Sequence, residues 1–303
     1  MNIAIFMQNR PHFGATLLHI PLIYSLKQCY PDAEIALFSK NSSAKMLFGV
    51  TDVKQIHVTQ NKVEEVKLYK QFNADMSISL RKNSLPAALA ILFFNRLASF
   101  SYANFISKAF FTKAILFNQH QFRAESFLSL LPDTCHKHYL PKLPSEQKNI
   151  YLMPGGAFEW KHWEIKNYLQ LADRLQERFT DHTICFIMGE MEKHYLPIIE
   201  AWSQRYKVYM NATLPKLFTL VRSAQLVIAN DCGPSHIAQI SEVPNIILYS
   251  SETNDGYNVA KEWFRKKEGS YYLVGEKDQS INSISVNSVY VAVEKSLKTK
   301  EVK

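Results

Sequence analysis

The stretch LVIANDCGPSHIAQI, residues 226–240, runs from four apolar residues directly into a polar turn that contains Asp231, Gly233 and His236. A buried strand that feeds a helix through a short polar turn is the place where open α/β sheets bind ligands. Asp231 is also a good helix N-cap, and a Gly-Pro pair suits a first helical turn, so a purely structural role is equally open here. The rest of the sequence is needed to distinguish a helix cap from a binding site.

Short apolar runs alternate with segments of helical periodicity along the chain, which predicts parallel sheets with crossover helices. In the first half the pattern predicts strands at 3–7, 35–38, 55–58 and 76–80 and helices at 16–29 and 62–72. The pattern then restarts, with strands at 149–153, 183–188, 207–210, 226–229 and 245–249 and helices at 164–179, 193–204, 214–224, 234–242 and 286–298.

A proline-containing segment, LPKLPSEQK at 140–148, is the best candidate for a linker between the two halves. We therefore predict two doubly wound α/β domains, 1–143 and 144–303, that face each other across a ligand-binding cleft. Two positions are open to the last helix: it packs on its own half or returns to the N-terminal domain.

The chain of 303 residues carries a formal net charge of +8, which favours anionic partners such as a nucleotide or a phosphate-bearing membrane. Its lysines are scattered, and no nucleic-acid-binding motif is present, so nucleic acid is not a predicted partner. The N-terminus begins with the strand-like NIAIFM, and no signal peptide is expected.

The four cysteines, Cys29, Cys135, Cys185 and Cys232, form no CxxC pair. We expect reduced thiols, as in a cytoplasmic protein. The run Cys-His-Lys-His at 135–138 has no second ligand cluster at a suitable spacing, so no metal site is predicted.

An apolar, aromatic region follows the first four strands. The segment LPAALAILFF at 85–94 has about half the length of a membrane span. The next residues, 97–117, are rich in aromatic side chains and contain Lys108 and Lys113. We expect buried helices here, and a surface that touches lipid is the alternative.

The loop after the first strand of the second half reads MPGGAFEWKHWEI. Its Pro-Gly-Gly turn leaves backbone N–H groups approachable, and we expect the next helix to begin near Trp163. A helix N-terminus carries roughly half a positive charge, and Lys161 adds a full one, so the loop predicts phosphate binding. The alternative is a glycine-rich turn with a solvated lysine, because the P-loop and GxGxxG patterns are absent.

A third loop, MGEMEKHY at 188–195, places Glu190 and Glu192 after a strand. These carboxylates suit the hydroxyl groups of a ribose or sugar, and they suit equally the N-terminus of the following helix. Parallel strands bring the three loops to the same edge of the sheet. A phosphate site, a hydroxyl site and an Asp/His site on one rim predict a nucleotide-sugar pocket.

The order PGG…KxW, GxxE and LVIANDCGPSHIA…VPNIILY resembles the ADP-heptose–lipopolysaccharide heptosyltransferases, glycosyltransferase family nine. The segment FGATLLHIPLIYSLKQCYPDAEI resembles the opening segment of the same family. The resemblance implies a GT-B fold of two Rossmann-like domains, an acceptor-binding domain at 1–143 and a nucleotide-sugar-binding domain at 144–303. It also implies an inverting transfer of heptose from ADP-heptose to the inner core of lipopolysaccharide.

The resemblance implies a donor site spread over successive strand ends. Asp231, Cys232, Gly233 and His236 would hold the diphosphate and sugar of the donor. Gly156, Ala157 and Lys161 would contact its phosphates. Glu192 or, alternatively, Glu190 would bind the ribose, and Ala212 would lie against the base. The resemblance implies no metal and no cofactor, because the ADP-sugar is itself a substrate. The implied partners are the nucleotide-sugar donor and an anionic glycolipid acceptor, met in the cytoplasm or at the inner face of the inner membrane.

One position departs from the family pattern. The family has an aspartate, its presumed base, directly after a glycine in the first loop, whereas here Gly14 is followed by Ala15. His12 or His19 could replace it, the enzyme could depend on donor activation alone, or catalysis could be lost. We expect His19 to be a packed helix residue. A loss of catalysis would leave a nucleotide-sugar- or glycan-binding protein.

A dinucleotide-dependent epimerase or dehydrogenase is the hypothesis from outside the family. Such an enzyme needs a glycine-rich dinucleotide loop after its first strand. The corresponding segment here, MQNRPHFGATL, contains a single glycine, which argues against this function.

Overall fold

The computed structural model describes residues 1–298 and confirms the predicted α/β class. The chain forms two compact units that divide between Leu140 and Pro141. Each unit contains a six-stranded sheet in which all of the strand pairings are parallel.

The first unit has the strand order β3-β2-β1-β4-β5-β6. Its strands are β1 (Asn2–Phe6), β2 (Glu34–Ser39), β3 (Gln55–Val58), β4 (Met76–Ser79), β5 (Ala98–Tyr102) and β6 (Lys113–Ile115). Its helices are α1 (Phe13–Leu17), α2 (Ile20–Cys29), α3 (Lys62–Phe72), α4 (Leu85–Phe94), α5 (Phe105–Phe110) and α6 (Arg123–Leu128), with a 3₁₀ helix at Ser42–Gly49.

The second unit repeats this arrangement, with the order β12-β11-β10-β7-β8-β9. Its strands are β7 (Asn149–Met153), β8 (Thr183–Met188), β9 (Lys207–Met210), β10 (Leu226–Asn230), β11 (Asn245–Tyr249) and β12 (Tyr271–Val274). Its helices are α7 (Ile165–Arg178), α8 (Leu196–Trp202), α9 (Leu214–Arg222), α10 (Ser235–Gln239), α11 (Gly256–Trp263) and α12 (Val286–Lys298), with 3₁₀ turns at Glu159–Lys161, Glu190–Tyr195 and Ile281–Ser283.

The strand order of both units is that of doubly wound Rossmann sheets, in which the chain reverses direction across the sheet between two neighbouring strands. In the second unit this switch point lies between β7 and β10, which pair in the register Leu226 to Ile150. All five residues of each of these two strands are buried. A strand covered on both faces reads as a continuous apolar run, which is why β7 and β10 are visible in the sequence.

The last helix, α12, belongs to the core of the second unit. Val289 and Val293 are fully buried there, in the same cluster as Tyr168 and Leu171 of α7. The last helix therefore packs on its own half of the chain, which is one of the two positions considered for it.

The expectation of buried helices is wrong for residues 97–117. It contains the strands β5 and β6, with only the six-residue α5 between them. The residues Ser-Phe-Ser-Tyr at 99–102 are the four buried residues of β5. The aromatic residues on either side make this segment resemble a helical apolar run. Within residues 1–298, no helix is long and apolar enough to span a bilayer.

The cysteine expectation is wrong for one pair. Cys29, at the end of α2, forms a disulfide with Cys135, and their Cα atoms lie 5.5 Å apart. Ser25 of α2 also binds the backbone of His138, so the segment after α6 lies against α2. Spacing along the chain could not reveal this pair, because 106 residues separate the two cysteines. Cys185 and Cys232 are free and buried.

Candidate functional site

The loops after β7 and β10 are joined by the side chain of Asn230, which is fully buried at the end of β10. Its Nδ2 donates hydrogen bonds to the carbonyl oxygens of Pro154 (2.7 Å) and Gly155 (3.3 Å). Its Oδ1 accepts from the Trp163 amide (3.3 Å) and from the Tyr168 hydroxyl (2.9 Å). One amide therefore holds the glycine loop, the start of α7 and the end of β10 together at the switch point.

Lys161 and Asp231 meet above this clamp. The Lys161 Nζ lies 2.5 Å from the Asp231 Oδ2, and their side chains are 21% and 11% exposed. The ammonium also lies 5.2 Å from the centre of the Trp160 ring. A partly exposed cation is thus fixed at the carboxyl edge of the sheet, where it can meet an anionic ligand.

The position of Lys161 differs from the sequence expectation in one respect. Helix α7 begins at Ile165, and Lys161 lies on the preceding 3₁₀ turn. Trp163, expected near the helix start, is completely buried, and its Nε1 donates to the carbonyl of Ile284 (2.8 Å). The ammonium of Lys161 thus lies four residues before the first residue of α7, and it brings a full positive charge to this loop.

His236 lies close behind the ion pair, on the short helix α10. Burial lowers the pKa of this imidazole to about 4, and the opposing effect of Asp231 is smaller. Within residues 1–298 its Nδ1 is buried without a hydrogen-bond partner, and its ring lies 5.5 Å from that of Trp263. The side chain is therefore neutral at pH 7, and its Nδ1 is unpaired within the described part of the chain.

Cys232 and Gly233 form the turn between Asp231 and α10. Burial raises the pKa of the Cys232 thiol to about 12, so this cysteine is not a nucleophile. Ser235 donates to the Cys232 carbonyl (2.7 Å), and the His236 amide donates to the Gly233 carbonyl (3.2 Å). The turn is thus held by its own short-range hydrogen bonds.

Glu192 reaches the same rim from the loop after β8. It is 6% exposed, and its Oε2 accepts from the Gly189 amide at 2.9 Å. A Cβ added to Gly155 would lie 2.7 Å from the Glu192 Cδ, so the carboxylate touches the glycine loop and a side chain at position 155 would displace it. Glu190, by contrast, is exposed and accepts from Asn211 at 2.6 Å, a bond that lowers its pKa.

The remaining expected positions lie along the same edge. Ala157 is exposed in the glycine loop, and Ala212 is half-buried directly after β9. Gly156 carries a contact that the sequence did not indicate: the His162 Nε2–H donates to its carbonyl at 2.9 Å. The His162 Nδ1 then accepts from the Tyr195 hydroxyl at 3.4 Å.

The two histidine candidates for a base lie in the first unit and differ sharply. His19 is 2% exposed; its Nε2 accepts from the Gln8 amide, and its Nδ1–H donates to the carbonyls of Ala15 and Thr16. Burial lowers its pKa to about 4. Both ring nitrogens are thus occupied, which favours the packed structural role. His12 is exposed in the loop before α1, and Ala15 is 5% exposed on that helix.

The chemistry of the second-unit rim fits an anion flanked by hydroxyl groups. It offers one cation, two carboxylates, a neutral imidazole and a glycine loop around a buried amide clamp. Within the described range 1–298, no group of three or more His, Cys, Asp or Glu side chains could hold a metal ion.

Comparison with known proteins gives the family. Residues 48–266 match the family model described as glycosyltransferase family 9 (heptosyltransferase). No curated protein matches the chain at the level of sequence.

Solved structures show the fold. The Escherichia coli heptosyltransferase WaaC with ADP is 12% identical, with a TM-score of 0.69 and full coverage of both chains. The same enzyme with ADP-2-deoxy-2-fluoro heptose is 14% identical, with a TM-score of 0.66 over 97% of this chain and 99% of that one.

A third similar structure, the E. coli ADP-heptose lipopolysaccharide heptosyltransferase II, is 17% identical, with a TM-score of 0.65 over 99% of this chain and 100% of that one. At such identities the likeness establishes the GT-B fold and leaves substrates open.

Proposed function

This chain belongs to glycosyltransferase family 9, the heptosyltransferases, and we propose that it transfers a heptose from ADP-heptose to the inner core of lipopolysaccharide. The transfer inverts the anomeric carbon and uses no metal ion. The Lys161–Asp231 pair at the switch point of the second sheet is the observation that carries the proposal, because open α/β sheets bind ligands there. The structures of WaaC with ADP and with an ADP-heptose analogue support this donor class.

In the proposed mechanism an acceptor hydroxyl attacks the anomeric carbon of the donor. A new C–O bond forms while the bond from that carbon to the phosphate oxygen breaks, and ADP leaves. Lys161 faces the diphosphate and stabilises its growing charge, with Asp231 holding the ammonium in place. Glu192, beside the glycine loop, binds the ribose hydroxyls, and Ala212 lies against the base. Gly156 and Ala157 face the phosphates. Cys232, Gly233 and His236 line the side of the diphosphate and sugar.

The acceptor proton has no assigned base. Ala15 occupies the position of the family's aspartate, and both ring nitrogens of His19 are occupied. His12, exposed in the loop before α1, is the candidate to accept this proton. General-base help is typically worth about 10²–10⁴-fold, so we expect slow turnover.

The decisive test incubates the protein with ADP-heptose and heptose-free lipopolysaccharide and weighs the product by mass spectrometry. A panel of ADP-, GDP- and UDP-sugars serves as the comparison. Addition of one heptose mass from ADP-heptose supports the proposal. Absence of turnover with every nucleotide-sugar would overturn the transferase activity.

A second function, donor binding without catalysis, is favoured by Ala15 alone. It predicts binding of ADP-heptose in calorimetry without product. In that case the Ala15→Asp variant should gain turnover, whereas wild-type transfer at an ordinary rate would exclude this function.

We also propose that the first unit contacts the inner membrane through the outer surface of α4 and α5. Leu85, Leu89 and Phe93 share one exposed face of α4. Phe105, the first residue of α5, is 89% exposed. The two helices pack on each other. Exposed apolar side chains on neighbouring helices suit the boundary between lipid headgroups and acyl chains.

The charge of this surface matches an anionic membrane. No acidic residue lies between Asp75 and Glu125, whereas six basic residues do. Among these, Lys82, Arg96 and Lys108 are exposed, whereas Arg81 and Arg123 are buried. Each lysine or arginine near an anionic bilayer contributes about 1 kcal/mol of attraction. An acceptor anchored in lipid would thus be met at the membrane surface.

Co-sedimentation with vesicles tests this contact. The Phe93→Ser/Phe105→Ser variant should bind vesicles of anionic phospholipid at least about tenfold more weakly, because each lost phenylalanine removes about 1.5–3 kcal/mol of apolar burial. Phe48→Ser is the matched control, since the β2–β3 connection lies on the opposite face of the sheet from α4. Equal binding by both variants would contradict the membrane contact.

A further inference from the structure

The glycine loop after β7 has three consecutive carbonyl groups that are held by side chains. Asn230 binds the carbonyls of Pro154 and Gly155. His162 binds the third, because its Nε2–H donates to the Gly156 carbonyl at 2.9 Å. Two glycines in a row give a backbone whose peptide planes rotate easily. The three hydrogen bonds therefore fix a segment that is flexible by composition.

Carbonyl groups that are fixed also fix the direction of the amide groups. In a trans peptide the C=O and the N–H of one plane point in opposite directions. The Gly156 carbonyl shares its plane with the Ala157 amide, so the bond from His162 turns this amide away from the imidazole. By the same geometry Asn230 sets the direction of the amides of Gly155 and Gly156. Three successive N–H groups are thus oriented by two side chains.

These three amides are free to bind a ligand. Within the described residues 1–298, the amides of Gly155, Gly156 and Ala157 donate to no other group of the protein. Backbone N–H groups need a partner, and successive ones suit an anion. Lys161 lies directly beside them, since its Cβ would be 3.6 Å from a Cβ added to Gly156. The loop therefore places neutral donors next to the charge of this lysine.

The imidazole of His162 is itself held in one tautomer. A carbonyl only accepts, so Nε2 carries the proton, and Nδ1 accepts from the Tyr195 hydroxyl at 3.4 Å. Burial raises the pKa of Tyr195, so this hydroxyl stays protonated and donates. The fit against Gly156 is tight, because an added Cβ would lie 3.1 Å from the His162 Cδ2. Tyr195 lies on the same 3₁₀ turn as Glu192, so the imidazole joins the loops after β7 and β8.

We propose that His162 is a positioning residue, which orients the Ala157 amide towards the diphosphate of the donor. The inference rests on the proposed function, because it requires a diphosphate beside Lys161. His162 acts through the backbone and makes no contact with the ligand. The oriented amide gives one hydrogen bond to a charged phosphate oxygen, in addition to the contact from the lysine.

Calorimetry with ADP and with adenosine tests this role. His162→Phe keeps a ring and removes the donor to Gly156, so the peptide plane between Gly156 and Ala157 is released. One hydrogen bond to a charged group is then lost, and ADP should bind about tenfold more weakly. Adenosine has no phosphate and should bind to the variant as it does to the wild type.

His162→Gln is the conservative variant, because its side-chain amide places a donor close to the position of the imidazole Nε2. It should restore most of the affinity for ADP. A direct contact between the imidazole and the phosphates would not be restored in this way.

His194→Phe is the matched control. His194 is exposed on the 3₁₀ turn Glu190–Tyr195, and phenylalanine keeps its ring contact with Tyr195, in which the ring centres lie 4.1 Å apart. This variant should leave both affinities unchanged.

Two kinds of result would overturn the inference. Unchanged affinity for ADP in His162→Phe, an equal loss for adenosine, or a failure of His162→Gln to restore binding would overturn the positioning role alone. A wild-type protein that does not bind ADP would overturn the proposed function, and this inference with it.

Discussion

At the scale of single residues, the charge of Lys161 is the feature from which the chemistry follows. Its ammonium is partly exposed and already oriented by Asp231, 2.5 Å away. Charge that is oriented before the reaction needs no reorganisation in the transition state. In the proposed function we therefore expect the pair to act on the diphosphate of the donor.

Replacing this lysine should separate activity from stability. Lys161→Ala should lower the turnover number by about 10²–10³, the usual cost of one lost electrostatic donor. Lys166→Ala, an exposed lysine on α7 five residues further on, is the control and should keep wild-type turnover. Release of ADP from ADP-heptose provides the measurement, and equal turnover of the two variants would remove Lys161 from the mechanism.

Two buried histidines should make the folded state sensitive to mild acid. Burial lowers the pKa of His19 and of His236 from 6.5 to about 4, so between these values the unfolded chain binds protons that the folded chain does not. Stability is complete above pH 6.5 and falls as the pH drops below it. From pH 7.5 to 5 each histidine should remove about 2 kcal/mol from the free energy of unfolding.

Urea unfolding at a series of pH values measures this dependence. His236→Gln should remove the pH-dependent contribution of one histidine, so the loss of stability between pH 7.5 and 5 should shrink by about half. A free energy of unfolding that stays constant across this window would show that the two imidazoles are not buried in their neutral form.

The sequence indicates which site residues follow strand ends, and not how their side chains pair. Lys161, Glu192 and Asp231 could be proposed because each belongs to a loop that follows an apolar run in a parallel sheet. Asn230 and His162 were missed as organising residues, since their partners depend on the register of β10 with β7 and on the path of the glycine loop. An asparagine that ends a continuous apolar strand is the one available signal.

At the scale of elements, Asn230 links one strand to the loop and helix of another. The energetic weight of this link should be graded. Tyr168→Phe removes one partner of the amide and should cost about 1 kcal/mol of unfolding free energy. Asn230→Ala leaves several buried groups unpaired and should cost about 3 kcal/mol or more. Urea denaturation gives both values, and a smaller loss for Asn230→Ala than for Tyr168→Phe would contradict the clamp.

The elements that could be predicted from the sequence have a clear pattern of apolar residues, either a continuous run or a helical repeat. Strands buried on both faces, such as β10, and the helix α12, whose bounds 286–298 match the expectation, are of this kind. Of the missed strands, β6 and β12 are partly exposed edge strands, and β5 lies among aromatic residues that resemble a helical segment. Their pairing partners, rather than their own composition, make them strands.

At the scale of the whole molecule, the disulfide should contribute much of the stability of the first unit. In the chain-entropy account, closing a loop of about 100 residues is worth about 4.7 kcal/mol. Addition of a reductant should therefore lower the thermal midpoint of the wild type. The Cys29→Ser/Cys135→Ser variant should begin at that lower midpoint and show no response to reductant.

Thiol titration gives an independent measurement. Unfolded without reductant, the protein should expose two reactive thiols, Cys185 and Cys232, out of four cysteines. Four reactive thiols, or a thermal midpoint that reductant leaves unchanged, would contradict the Cys29–Cys135 link.

The disulfide between Cys29 and Cys135 also determines whether the fragments separate after a protease cuts the chain. It closes a covalent ring that contains β2 to β6, five of the six strands of the first sheet, while β1 stays outside. A single nick in any loop of this ring leaves both fragments tethered, with their shared sheet intact. Nicked protein should therefore migrate as one chain on a denaturing gel until the tether is reduced.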